Sequence, residues 1–138
     1  MFRLNPSFKP KGGKVGITTS VDVDYSCNGT DLTVQVRVEM PDGEHSPFAF
    51  VVEGVGRFAL VEEPPGDVLE VIARINGASM IFPYVREAIA DLTRRAGVPT
   101  LHLQPVNFVE LMKAEKVQNE AAKPTKKSVS KKVWVLEK

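Results

Sequence analysis

From Val15 the chain alternates. Val15, Ile17, Thr19, Val21, Val23 and Tyr25 fall on one side and Thr18, Ser20, Asp22 and Asp24 on the other, which is the two-residue period of a half-buried strand. The turn signal "NGTD" at residues 28–31 is followed by a second alternation, with Leu32, Val34, Val36, Val38 and Met40 inward and Thr33, Gln35, Arg37 and Glu39 outward. The two runs predict a hairpin. After "PDGEHSP" comes a third strand, "FAFVVEGVGRFAL", less regular and interrupted by Gly54 and Gly56. Phe2, Leu4 and Phe8 mark a short edge strand before Pro10.

Beyond Leu60 the period becomes helical. Asp67 and Glu70 form a capping pattern, and Val68, Leu69, Val71, Ile72 and Ile75 predict a short helix that ends at Gly77 inside a long crossover. A second helix is expected to start near Phe82-Pro83, where proline suits a first turn, and to stop at Gly97. Pro99 and Pro105 bracket an extended arm, "TLHLQ". Asn107 and Glu110 then cap a last amphipathic helix carrying Phe108, Leu111 and Met112.

With 138 residues the chain suits one domain. Its formal charge of +1 hides an asymmetry: residues 1–120 hold 12 Lys/Arg against 16 Asp/Glu, and residues 121–138 hold 6 against 1. The expected organisation is therefore a folded domain over residues 1–120 and a basic, flexible tail over residues 121–138. That tail ends in "VWVL" with the sole tryptophan, Trp134. The segment reads either as an anchor for a partner or as a stray extra strand.

Candidate chemistry is sparse. Cys27 is the only cysteine, so an intrachain disulfide and a cysteine-rich zinc site are excluded. His45 and His102 sit in no recognised motif, and Asp22 with Asp24 reads as a solvated strand face rather than a cation site. "GVGRF" lacks the lysine and hydroxyl of a phosphate loop, and the tail lysines have a single interleaved aromatic. No enzyme, metal, cofactor or nucleic-acid partner is expected, and neither a secretory leader nor direct membrane insertion. The expected location is the cytoplasm. What remains abundant is apolar surface: Phe58, Leu60, Val61, Leu69, Ile72, Met80, Phe82, Phe108, Leu111 and Met112.

Residues 82–112, "FPYVREAIADLTRRAGVPTLHLQPVNFVELM", resemble a segment of the SecB family of export chaperones, which carries Phe-Pro-Tyr, a helix opening on Arg-Glu, a glycine stop and then Pro-Val-Asn-Phe. The likeness rests on Phe82, Pro83, Tyr84, Arg86, Glu87, Pro105, Val106, Asn107 and Phe108 at matching spacing, and extends loosely over residues 1–118. It implies an α+β fold: a four-stranded antiparallel sheet with two helices on one face, assembling as a dimer of dimers into a homotetramer. It also implies an ATP-independent holdase that keeps unfolded polypeptides in apolar grooves. Phe58, Leu60, Val61, Leu69, Ile72, Phe82, Phe108, Leu111 and Met112 are the expected client-binding residues. Ile81, Tyr84, Val85, Ala88, Ile89 and Leu92 are the expected oligomer interface, since a helix apolar on more than one side is readily buried by a second subunit.

In this family the outer sheet face presents carboxylates to the SecA motor. Here Asp22, Asp24 and Glu39 stand on that face, with Arg37 among them. Implied partners are unfolded preproteins and SecA or, as for solitary SecB-like chaperones of toxin–antitoxin–chaperone systems, a dedicated antitoxin. The alternative is a non-chaperone adaptor on the same fold, with the tail as its recognition element.

Overall fold

The computed structural model describes residues 1–8, 14–43, 46–121 and 130–137. Its strands are β1 (Phe2–Leu4), β2 (Lys14–Asn28), β3 (Asp31–Met40), β4 (Phe48–Ala59) and β5 (Ser130–Glu137). They form one antiparallel sheet in the order β1-β4-β3-β2-β5. The four strands expected from the first sixty residues are all present, and the tail adds the fifth. His45 lies outside the described residues.

The alternation decides the sheet faces. Cross-strand pairs Val23↔Val36 and Tyr25↔Val34 put the apolar rows of β2 and β3 together on one face, where Val34, Val36 and Val38 are wholly buried. The β2–β3 turn passes through Gly29 at φ 63, a left-handed conformation in which a side chain would be strained. At the other end Phe2 stacks on Phe48 at 5.3 Å, tying the three-residue β1 to β4.

Helical structure runs without a break from Gly66 to Arg95. It comprises α1 (Gly66–Val71), a π-helical turn (Ile72–Gly77) and α2 (Ala78–Arg95). The expected stop at Gly77 and restart at Phe82-Pro83 are thus corrected. Gly77 is helical, with φ −62 and ψ −47. A Cβ there would lie 2.9 Å from Val34 Cγ2, so the glycine serves close helix–sheet approach rather than termination. Pro83 is exposed inside α2.

Gly54 and Gly56, which look like interruptions of β4, form the bed for α2. They stand opposite Val36 and Val34 on the inner face. Ile81 and Val85 descend into the space their missing side chains leave. Ile81 and Val85 are buried there, and Ile89, one turn further along α2, is buried as well.

Gly97, at φ 78, does end α2 as expected, with Val98 N–H bonded back to Thr93 O at 3.3 Å. Near that end the Asp91 carboxyl is held below its ordinary range by hydrogen bonds from Arg94 and Arg95. The arm that follows alternates: Leu101 and Leu103 are buried, while His102 and Gln104 are exposed. Thr93 fastens it. Its buried hydroxyl accepts from Leu101 N–H at 3.0 Å and donates back to the helix carbonyls of Ala90 or Ile89 at 2.9 and 3.0 Å. Thr93→Val keeps the shape but orphans the Leu101 donor, so a loss of about 1–2 kcal/mol is expected in urea unfolding. A loss below about 0.5 kcal/mol would show that the donor finds another acceptor. The last helix, α3 (Phe108–Ala121), opens with Asn107 Oδ1 accepting from Val109 and Glu110 N–H, as its capping residues foretell.

Candidate functional site

The apolar residues expected to bind clients divide into two groups. Phe82 and Phe108 meet edge to face at 5.7 Å and are covered, as are Leu111 and Met112 on the underside of α3. Phe58, Leu60, Leu69 and Ile72 pack against the core but remain partly accessible, and Val61 stands wholly in solvent. The first group is therefore covered by the chain itself, and the second stays accessible at the border of the core. At the β3–β4 end of the sheet, a shallow depression of about 480 Å³ is bounded by Leu32, Phe58, Ala59, Thr33, Asp31 and Arg57.

The long helix divides similarly. Of the expected interface residues, Ile81, Val85 and Ile89 face their own sheet. Ala88 and Leu92 are half-buried, and Tyr84 is 79% exposed. Val68, Val71 and Met80 are exposed along the same helix. In length and composition the helix would suffice to cross a membrane, but core helices of globular proteins share those traits, and this one lies on the sheet. Its buried side faces the sheet, while Val68, Val71, Met80 and Tyr84 leave apolar and aromatic surface on the other.

The outer sheet face is charged but balanced. Arg37 stands between Asp22 on β2 and Glu53 on β4 in register. Its guanidinium lies 3.1 Å from Glu39 and 3.6 Å from Glu53. A cation in the middle of the carboxylates cuts the negative field a basic partner would feel. Asp24 spends one oxygen on the Tyr25 backbone N–H at 2.9 Å. Elsewhere, His102 is exposed on the arm, and the half-buried Cys27 thiol donates to Gly29 O at 3.4 Å. Among the described residues no three His, Cys, Asp or Glu side chains come together as metal ligands.

Sequence reasoning missed the polar tie that positions α3. Arg74, in the π turn, donates to Glu115 Oε2 at 2.7 Å and to Val23 O at 3.0 Å. Its Nε lies 3.6 Å from Glu70, and its guanidinium lies over the Tyr25 ring at 5.3 Å. One side chain thus joins the crossover, the last helix and the edge of the sheet. The available signal was Glu115, a charge at helical spacing with Phe108, Leu111 and Met112 on the buried face of α3.

Comparison with known proteins agrees with this geometry. The family described as preprotein translocase subunit SecB matches residues 14–119. The protein-export protein SecB of Acidithiobacillus ferrooxidans is 35% identical over 107 residues, covering 77% of this chain and 71% of that protein. Protein-export protein SecB 1 of Gluconobacter oxydans is 40% identical over 113 residues, covering 72% and 65%. Among solved structures, a SecB-like chaperone of Mycobacterium tuberculosis, in complex with a ChAD peptide from the HigA1 antitoxin, superposes with a TM-score of 0.61 at 20% identity, over 77% of this chain and 82% of that one. The family match ends before β5.

Proposed function

This chain belongs to the SecB family, whose members are chaperones rather than enzymes, and from that premise we propose that it is an ATP-independent holdase for extended, unfolded polypeptides in the cytoplasm. The observation that carries the reading is the apolar margin of Phe58, Leu60, Val61, Leu69 and Ile72 beside the long helix. Four of them remain partly accessible and Val61 fully so, while Phe82, Phe108, Leu111 and Met112 are covered. Extended segments bind there by burial of apolar area, with little reading of sequence. Holding the unfolded state by mass action keeps it from aggregating without any covalent step.

The exposed side of α2, with Tyr84 and the half-buried Ala88 and Leu92, serves self-association toward a homotetramer, while Ile81, Val85 and Ile89 support that helix from beneath. Two client classes fit. The relatives are named for protein export, and the solved neighbour holds an antitoxin peptide. Asp22, Asp24 and Glu39 form the docking face for SecA, weakened by Arg37 in its centre.

Light scattering of a heat-aggregating protein tests the holdase reading. Stoichiometric chain is expected to suppress aggregation without nucleotide, and absence of suppression overturns it. Single alanine changes at Phe58, Leu60 or Val61 should weaken capture at most about fivefold, and all three together more than about fiftyfold, because each withdraws only part of a distributed apolar contact.

A further inference from the structure

The long outer edge of the sheet belongs to β2, and it is closed in two different ways. Beyond Val21 it is capped by fixed side chains: Arg74 donates to Val23 O at 3.0 Å, and Asp24 Oδ1 accepts from Tyr25 N–H at 2.9 Å. From Lys14 to Val21 it is covered by β5, in eight antiparallel pairs running from Lys14↔Glu137 to Val21↔Ser130. That strand lies beyond the family match, and residues 122–129 join it to α3. Its sequence, SKKVWVLE, is rich in the β-branched and aromatic types that favour strands.

A strand edge is a template for backbone pairing, in which main-chain hydrogen bonds supply affinity and alternate side chains supply preference. We infer that residues 14–21 of β2 are a second polypeptide-binding site, which takes an extended apolar segment by strand addition, and that β5 is the chain's own exchangeable occupant. The inference rests on the holdase reading but places this site on the sheet edge, apart from the apolar margin. The fixed caps at Val23 and Tyr25 limit it to the eight positions that β5 spans. Because a short tether holds a segment at an effective concentration of order millimolar, β5 screens the edge from weak ligands and yields to strong or abundant ones.

The test uses a dye-labelled synthetic peptide, SKKVWVLE, with two full-length chains: the natural one, and one carrying Lys132→Pro and Leu136→Pro. These two residues stand opposite Thr19 and Val15, and proline removes their ladder donors. By fluorescence anisotropy, the peptide is expected to bind the double-proline chain at least about tenfold more tightly, since its tethered competitor is disabled. Unchanged hydrogen-exchange protection at Val34 and Val36 verifies that this chain is folded. Equal affinity for both chains, or binding to neither at millimolar peptide, overturns the inference. Exchange of β5 between two copies in the natural chain also overturns it, because the edge would then serve assembly. Capture of reduced, carboxymethylated α-lactalbumin is measured alongside. If capture persists while the peptide result fails, only this site falls, and if capture also fails, the holdase reading falls with it.

Discussion

Replacing Arg74 with alanine is expected to lower folding stability by about 3–4 kcal/mol, the range for removing one partner of a buried ion pair. Glu115 is 8% exposed and Arg74 23%, so the carboxylate left behind would have little access to water. The same change releases Val23 O at the sheet edge and the cation over Tyr25. Urea unfolding gives the total, and a double-mutant cycle with Glu115→Gln isolates the pair. A coupling of about 2 kcal/mol is expected, since the two groups share one hydrogen bond at close range. The variant should also bind more of the dye ANS, because α3 would lose its polar tie while keeping Phe108, Leu111 and Met112 on its underside. A total loss below about 1 kcal/mol would mean that Glu115 is compensated without Arg74, and that this tie does not seat α3.

Gly54→Val is expected to be the second severe change, although strand propensity alone favours it by up to about 1 kcal/mol. A Cβ at this position would lie 2.6 Å from Val85 Cγ2 and 2.8 Å from Ile81 Cγ2, well inside ordinary contact. The two extra methyl groups deepen the conflict. Either α2 lifts from the sheet or Ile81 and Val85 leave their rotamers, at a cost of about 3 kcal/mol or more. Steric exclusion wins over propensity by that margin. The urea midpoint should fall accordingly, and Val85→Ala in the same chain should recover part of the loss by removing the nearer methyl. If Gly54→Val were neutral and Val85→Ala gave no rescue, the close seating of α2 on β4 would be refuted.

The candidate site was legible only as composition. Phe108, Leu111 and Met112 announced an apolar helix face, but periodicity says that a face is buried, not whether the chain itself or a partner buries it. The structure places these three and Phe82 beneath the surface and leaves Phe58, Leu60, Val61, Leu69 and Ile72 reachable. Ile81, Val85 and Ile89 teach the same lesson on α2, where the bed is supplied by two glycines on a strand some thirty residues earlier in the chain. Arg74 could not be assigned a role from its neighbours, because its partners lie 41 and 51 residues away.

What the sequence determined by itself is everything set by local geometry. The two-residue period assigned β2 and β3 their inner and outer rows, Gly29 and Gly97 marked left-handed positions where a side chain would be strained, and Asn107 named the start of α3. The tertiary structure alone decided the rest: that Gly77 continues a helix, that Gly54 and Gly56 receive one, that Glu115 meets Arg74, and that the tail lies along β2. Local patterns encode which way a side chain points, because backbone geometry repeats every two or 3.6 residues. What it meets there depends on which distant segments the fold brings together, and no local period records that.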